Sequence, residues 1–176
     1  MVRRRLAYAI VGGLFGLLAC VIPASMLSKA RSVPRIHDIT TDTQNPPRFT
    51  DIVALRKKAK ARNKIVYGGA AKEGHTDTAP LDAAMPARRA FDTALAVASD
   101  LGWQIVASLP GEGRIEATDT SFWFGFTDDI VIRITASAGR NRIDIRSVFR
   151  VGRSDVGANA ARIRRFITAM KLKRGP

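Results

Sequence analysis

The sequence predicts an α+β domain that follows an N-terminal membrane-spanning helix. Three observations support this prediction. An uncharged apolar run occupies residues 6–27, hydrophobic residues recur at helical spacing over residues 85–101, and from residue 104 the hydrophobic spacing changes to two. A helix followed by consecutive strands and a last helix is typical of α+β folds. We therefore divide the chain into a membrane anchor or signal segment (1–30), an extended arm and basic loop (31–80) and a compact α+β domain (81–176).

The apolar run at residues 6–27 is long enough to cross a bilayer. As a helix it reaches about the ~30 Å of the hydrocarbon core. Three interpretations remain open: a retained anchor, a cleaved secretory signal, and a lipoprotein signal in which Cys20 is acylated, because Leu17-Leu18-Ala19-Cys20 resembles a lipobox. Apolar residues continue past Cys20, which favours the retained anchor. We expect residues 6–27 to contact membrane lipids.

The orientation of this segment follows from basic residues at its ends. Arg3, Arg4 and Arg5 precede it, whereas Lys29 and Arg31 follow it less tightly. The tight arginine cluster favours a cytoplasmic N-terminus. The sequence therefore predicts a single-pass inner-membrane protein whose C-terminal domain is periplasmic.

The charge and the rare residues restrict the function classes. The chain has a formal net charge of +14, one Cys and two His. One Cys and two separated His cannot form a structural zinc site or a disulfide framework, and we expect no metal and no cofactor. Six basic residues between Arg56 and Lys64 are suited to contact with an anionic headgroup, but the absence of aromatic residues among them favours a solvated loop or short helix. No nucleic-acid-binding motif accompanies them, so we expect no nucleic-acid partner.

The compact domain is predicted to be a two-layer sandwich with the order α-β-β-β-β-α. The first helix covers residues 85–101 and stops at Gly102. The last helix follows residues 152–155, and its apolar stripe consists of Val156, Ala160, Ile163, Ile167 and Met170.

Between these helices we predict four strands in an antiparallel meander. Ile105, Ala107 and Leu109 should share one face with Ile115 and Ala117. The third and fourth strands place further isoleucines on that aliphatic face, which both helices cover. The other face is predicted to be solvated, and it carries Arg114, Glu116, Arg133, Arg142, Asp144 and Arg146.

The stretch before the third strand is rich in aromatic residues. Phe122, Phe124 and Phe126 have the same parity as Ile130, so we expect them to extend the buried face of the sheet. Trp123 has the other parity and is the predicted contact residue.

Candidate site residues lie around this aromatic stretch and before the last helix. Asp119, Asp128 and Asp129 are acidic residues suited to acid–base chemistry, but Asp also commonly ends strands and caps turns. Arg150, Arg153 and Asp155 surround the expected N-terminus of the last helix, where an anion could bind. Alternatively, Asp155 caps the helix and the arginines pair with aspartates. No residue is assigned as catalytic.

Several long blocks are specific enough to identify a family. They are Ile36-His-Asp-Ile-Thr-Thr-Asp42, Pro46-Pro47-x-Phe49, Leu101-Gly-Trp103, Ile115-Glu-Ala-Thr118, Phe122-Trp-Phe-Gly-Phe126, Asp129-Ile-Val131, Asp144-x-Arg-Ser147, Arg150-Val-Gly-Arg-Ser-Asp155, Asn159 and Arg162-Ile-Arg164. Over about residues 33–171 the chain resembles the bacterial domain-of-unknown-function family 1499. The resemblance implies association with membrane-spanning or exported proteins and no settled activity. His75-Thr-Asp77 departs from the family pattern, which has an aromatic residue and a proline there.

Two functions from different classes remain. The first is a membrane-tethered, non-catalytic envelope module that binds a lipid headgroup, a glycan or a protein partner. The second is a small hydrolase-like enzyme that uses Asp119, Asp128 and Asp129.

Overall fold

The computed structural model describes residues 2–32, 38–61, 78–122, 124–137, 140–151 and 157–173. The chain forms two compact units, residues 1–34 and 35–176. The first unit contains helix α1 (Val2–Ser32), and the second is an α+β domain.

Helix α1 contains a segment, Arg4–Ser25, that is long and apolar enough to cross a membrane. None of that segment is buried within the protein. Leu14 and Phe15 are more than half exposed. Cys20, the candidate for acylation, is also exposed. A spanning anchor and a signal sequence both have this composition.

The domain is built on an antiparallel sheet of six strands. These are β1 (Asp38–Thr40), β2 (Leu81–Ala83), β3 (Gln104–Leu109), β4 (Arg114–Thr120), β5 (Thr127–Ser137) and β6 (Arg140–Phe149). The order is β1-β6-β5-β4-β3, and β2 also pairs with β6. The four-stranded meander that we predicted corresponds to β3–β6, and the prediction of four strands is wrong because β1 and β2 extend the sheet. Each of these added strands has only three residues, too few to show a period.

Helices α3 (Ala87–Asp100) and α4 (Ala158–Lys173) pack on the aliphatic face of the sheet. Helix α3 ends before Gly102, whose φ of 81° supplies the left-handed residue that terminates a helix. Trp103 and Phe166 stack in this core with ring centroids 5.7 Å apart. Phe166 is fully buried, although the predicted stripe of the last helix omitted it.

The opposite face of the sheet is also covered, which contradicts the prediction of a solvated face. Residues 38–50, which we call the arm, begin as the edge strand β1 and continue onto this face, where helix α2 (Asp51–Lys58) also lies. Phe49 and Ile52 form a second apolar cluster there with Val131 and Val148. The charged residues predicted to meet solvent are largely buried, and Glu116 and Asp144 are 0% exposed. The predicted sandwich, with helices on one face of the sheet only, therefore describes half of the fold.

A bulge in β3 changes which of its residues share a face. Ile105 pairs with Ala117, but Ala107 pairs with Glu116, so the register shifts by one at Val106. The extra residue reverses the alternation beyond it. The prediction that Ala107 and Leu109 share the aliphatic face with Ile105 is therefore wrong.

Candidate functional site

Asp129 lies between two arginines on the arm-covered face. Its carboxylate is fully buried and accepts hydrogen bonds from Arg150, with Nη2 to Oδ1 at 2.6 Å and Nε to both oxygens at 3.0 Å. Arg56, which is 6% exposed, forms an ion pair with Oδ2. A buried carboxylate needs such compensation. The interpretation in which the arginines pair with aspartates is therefore confirmed for Arg150.

Asp119 and Asp128 share one arginine of helix α4 on the other face. Arg162 places Nε 2.8 Å from Asp119 Oδ2 and Nη2 2.7 Å from Asp128 Oδ2. Its Nη1 donates to Asn159 Oδ1 at 2.7 Å and to Ser147 Oγ at 3.0 Å. Arg162 is only 7% exposed, so it joins the helix to two strand ends from inside the domain.

The three aspartates therefore do not form one acidic site. Asp128 and Asp129 are neighbours in β5, and successive residues of a strand point to opposite faces. Asp119 lies opposite Asp128 in the register, and Arg162 binds both carboxylates. Each carboxylate is thus held in an ion pair with an arginine.

Further ion pairs hold the arm on the sheet. Arg133 donates to Asp42 and to Asp144, both at 2.9 Å. Burial alone raises the pKa of Asp42. Hydrogen bonds from the Asn45 backbone N–H and from Arg133, together with the charge of Arg142, outweigh that effect and hold this pKa below its usual value.

Glu116 binds the start of helix α2 from the sheet. Its carboxylate accepts the backbone N–H groups of Thr50 at 2.7 Å and Ile52 at 2.8 Å. The first N–H groups of a helix lack partners within the helix, so this carboxylate supplies the cap that Thr50 does not. Arg114 forms an ion pair with the same carboxylate. Burial lowers the pKa of Arg114, but its hydrogen bonds to Asp51, Glu112 and Glu116 raise it overall.

Arg146 crosses the same covered face and is 1% exposed. It binds Asp38 through Nε at 2.8 Å, donates to the Pro47 carbonyl at 3.2 Å, and lies 5.6 Å from the ring centre of Phe49. Both ends of the arm are therefore tied to one strand residue.

The described residues between β4 and β5 form a turn, and we call residues 121, 122 and 124–126 the aromatic tip. Phe122, Phe124 and Phe126 are 90%, 68% and 48% exposed. The prediction that they extend the buried face is wrong, because β5 begins only at Thr127 and strand parity ends there. Gly125, with φ 62°, lies in this turn, and a glycine that permits such a bend was the signal in the sequence against a continuous strand.

Basic residues of helix α2 lie beside the aromatic tip. Lys57, Lys58 and Lys60 are exposed. Ala59 and Ala61, beside these lysines in the chain, line a cavity of about 180 Å³ with the tip residues Gly125 and Phe126. The described part of the basic run therefore divides: Arg56 is buried in an ion pair, whereas Lys57, Lys58 and Lys60 are exposed.

Three predicted site residues, Trp123, Arg153 and Asp155, lie outside the described residues. The sequence reasoning also missed two arginines, Arg56 and Arg162, as the partners of the candidate aspartates. Within the described ranges, no group of three or more His, Cys, Asp or Glu side chains is arranged to hold a metal ion.

Comparison with known proteins identifies the family of the chain. The model of the family described as "protein of unknown function (DUF1499)" matches residues 38–170, which is most of the chain. Among curated proteins, none shows a significant match. The matched range begins at the first strand and ends in helix α4, so it contains the whole sheet and all the ion pairs described above. The chain therefore belongs to the DUF1499 family, as the sequence blocks predicted.

Proposed function

We propose that this chain is a membrane-attached envelope protein whose α+β domain acts by binding and not by catalysis. One observation carries the proposal: Asp119, Asp128 and Asp129, the acids that hydrolase chemistry would need, are all held by arginines. Acid–base catalysis needs a carboxylate whose proton can transfer to substrate. A carboxylate compensated by buried guanidinium groups is poorly suited to that role.

The exposed chemistry of the domain supports binding. The phenylalanines of the aromatic tip and Lys58 of helix α2 lie on one edge of the domain, and we call them together the basic–aromatic edge. Exposed apolar patches with a charged rim commonly mark interaction surfaces. The proposed partners are an anionic headgroup or an envelope protein.

The proposed location rests on helix α1. Its segment Arg4–Ser25 has the length and composition of a membrane span. We assign it as a retained, single-pass inner-membrane anchor, with the arginines at its start on the cytoplasmic side and the domain in the periplasm. Acylation at Cys20 is the competing mode of attachment.

Fractionation of cells that express the tagged full-length chain tests attachment. We expect the protein to remain in the membrane pellet after alkaline carbonate extraction, because a spanning helix is not released by removal of surface contacts. Cys20→Ser should stay in the pellet equally well. Release of the native chain into the soluble fraction would contradict attachment, and release of only the Cys20→Ser variant would show that a lipid on Cys20 provides it.

A periplasmic reporter tests the orientation. Alkaline phosphatase fused after residue 176 is active only when it is exported, so we expect active fusions. A fluorescent protein that folds only in the cytoplasm should be dark at the same position. The reverse pattern would place the domain in the cytoplasm.

A further inference from the structure

The aromatic tip is an ordered turn. Ser121 N–H donates to the Phe126 carbonyl at 2.8 Å, Phe126 N–H donates to Ser121 Oγ at 3.0 Å, and Gly125 N–H donates to the Ser121 carbonyl at 3.0 Å. These bonds close the loop on itself. An ordered loop pays less conformational entropy on binding than a disordered one.

The phenylalanines of the tip are exposed, and two of them pack in a stack that reaches the sheet. Phe126 packs edge-on against Phe149 of β6 with ring centroids 5.8 Å apart, and Phe124 stacks on Phe126 at 5.8 Å. Phe122 is 90% exposed. The stack therefore joins a strand residue to rings that face solvent.

Further apolar and basic side chains lie on the same edge. Leu55 of helix α2 and Val151, just after β6, are about two-fifths exposed. Leu55 and Lys58 line a cavity of about 450 Å³ together with Thr127, the first residue after the tip. Lys58 thus lies next to exposed apolar side chains of this edge.

We propose that the basic–aromatic edge inserts its phenylalanines into the surface of a bilayer that contains anionic lipids. Apolar side chains that enter the acyl boundary, with Lys placed at headgroup level, are the usual composition of interfacial membrane contacts. Lysines near an anionic leaflet are attracted to it. The combination of exposed Phe with surrounding Lys matches both parts of such a surface.

A protein partner fits this edge less well. Protein–protein interfaces are depleted in Lys, whereas here the exposed Lys58 lines a cavity with Thr127, directly after the tip. The inference rests on the proposed membrane attachment, since a tether raises the effective concentration of the domain at a bilayer. It adds to that proposal a second contact with lipid, made by the domain itself.

The test uses the full chain with Cys20→Ser, so that one introduced cysteine can be labelled. An environment-sensitive fluorophore is attached at Phe124→Cys, and in a matched control at Gln44→Cys, which is an exposed residue of the arm. Each protein is reconstituted into vesicles of phosphatidylglycerol and phosphatidylcholine, or of phosphatidylcholine alone, with a spin-labelled lipid as the quencher. Flotation of the vesicles reports attachment separately.

We expect the label at position 124 to be quenched in the anionic vesicles and the label at position 44 to remain unquenched. Phe122→Ser should lower the membrane-inserted fraction of the tip by roughly tenfold, the amount expected for one buried Phe side chain. Lys57→Glu combined with Lys58→Glu, and also high salt, should reduce the quenching in anionic vesicles. Circular dichroism should be unchanged in each variant.

Four results would overturn the inference. A chain that floats with the vesicles but shows no quenching at position 124 rules out insertion and leaves attachment standing. A chain that does not float rules out both. Equal quenching in neutral vesicles that ignores the lysine reversal rules out recognition of anionic lipid. A tip label that is shielded only when membrane proteins are added shows that the partner is a protein.

Discussion

At the scale of single residues, the main feature is that acidic side chains are compensated by arginine inside the domain. Asp129 is the clearest case, since it is fully buried between Arg56 and Arg150. Buried ion pairs are weak evidence for net stability, but removal of one partner leaves an unpaired buried charge. This asymmetry makes Asp129 a sensitive position.

We predict that Asp129→Asn lowers the free energy of unfolding by about 3–5 kcal/mol, because Arg56 and Arg150 then lose their counter-charge. Denaturant unfolding of the full chain in detergent measures this loss. Asp92→Asn is the matched control, since Asp92 pairs with Arg88 on the surface of α3 and should change stability by no more than about 0.5 kcal/mol. Equal stability of the two variants would show that the buried pair contributes nothing.

The phenylalanines give a second prediction at this scale. Phe122→Ser should leave the unfolding free energy almost unchanged because the side chain is 90% exposed. Phe166→Ala, at a position that is 0% exposed, should cost about 3–5 kcal/mol. Thermal unfolding of both variants checks the contrast. A large loss in Phe122→Ser would restore the earlier view that the tip belongs to the core.

At the scale of elements, the arm and helix α2 are held on the sheet by polar contacts at several points. Glu116 accepts N–H groups from the start of α2, and Asp42 accepts from Arg133. The arm therefore depends on the charge states of carboxylates. Its attachment should be separable from the packing of α3 and α4 on the other face.

Glu116→Ala should expose the start of helix α2 selectively. The backbone N–H groups of Thr50 and Ile52 lose their acceptor, so we expect faster hydrogen exchange there and a loss of about 1–3 kcal/mol in stability. Exchange in α3 should accelerate far less. Exchange that rises equally in α2 and α3 would instead show that the variant unfolds the domain as a whole.

The lowered pKa of Asp42 predicts how acid affects the arm. A carboxyl group whose folded pKa lies below its unfolded pKa, which is near 3.8, stabilises the fold above that pH and loses this contribution as pH falls through the folded value. Asp42→Asn should therefore be less stable than the native chain at pH 7. This difference in stability should shrink below about pH 3.8. Unfolding curves of both proteins at pH 7 and at pH 2 measure it. A difference that persists at pH 2 would assign it to shape and not to charge.

The elements also show what a single sequence reveals. The α3 stop at Gly102 and the four longer strands were predictable because their signals are local. The cover on the opposite face of the sheet was not predictable. A strand with alternating charged residues has the same sequence pattern whether water or the arm covers it. The bulge at Val106 lies in a strand without Gly, and only pairing with β4 exposes it.

The candidate site follows the same division. The sequence singled out Asp129 and Arg150 as candidate contact residues and also offered the interpretation that arginines pair with aspartates, which these two residues do. It could not identify Arg56 or Arg162 as their neighbours, because these contacts join residues far apart in the chain. The parity argument wrongly placed the tip phenylalanines in the core because it assumed that the strand continues through them. Where a strand ends depends on where its partner stops pairing, which the sequence does not show.

At the scale of the whole molecule, the chain combines a helix suited to a membrane with a domain whose interior is rich in ion pairs. Many residues of the family blocks, including Asp38, Asp144, Arg146, Asn159 and Arg162, are buried in these polar contacts. We conclude that this set maintains the fold. The phenylalanines of another family block, Phe122–Phe126, are instead exposed, so the surface that acts on a partner is expected on the basic–aromatic edge.

The most direct test of this account is photocrosslinking in cells. A photoreactive phenylalanine analogue replaces Phe124 in the full-length chain, with the same analogue at Asp92, an exposed position on α3, as the control. We predict covalent adducts with a membrane component from position 124 and none above background from position 92. Absence of adducts at position 124 in a chain that fractionates with membranes would contradict the claim that this edge is the binding surface.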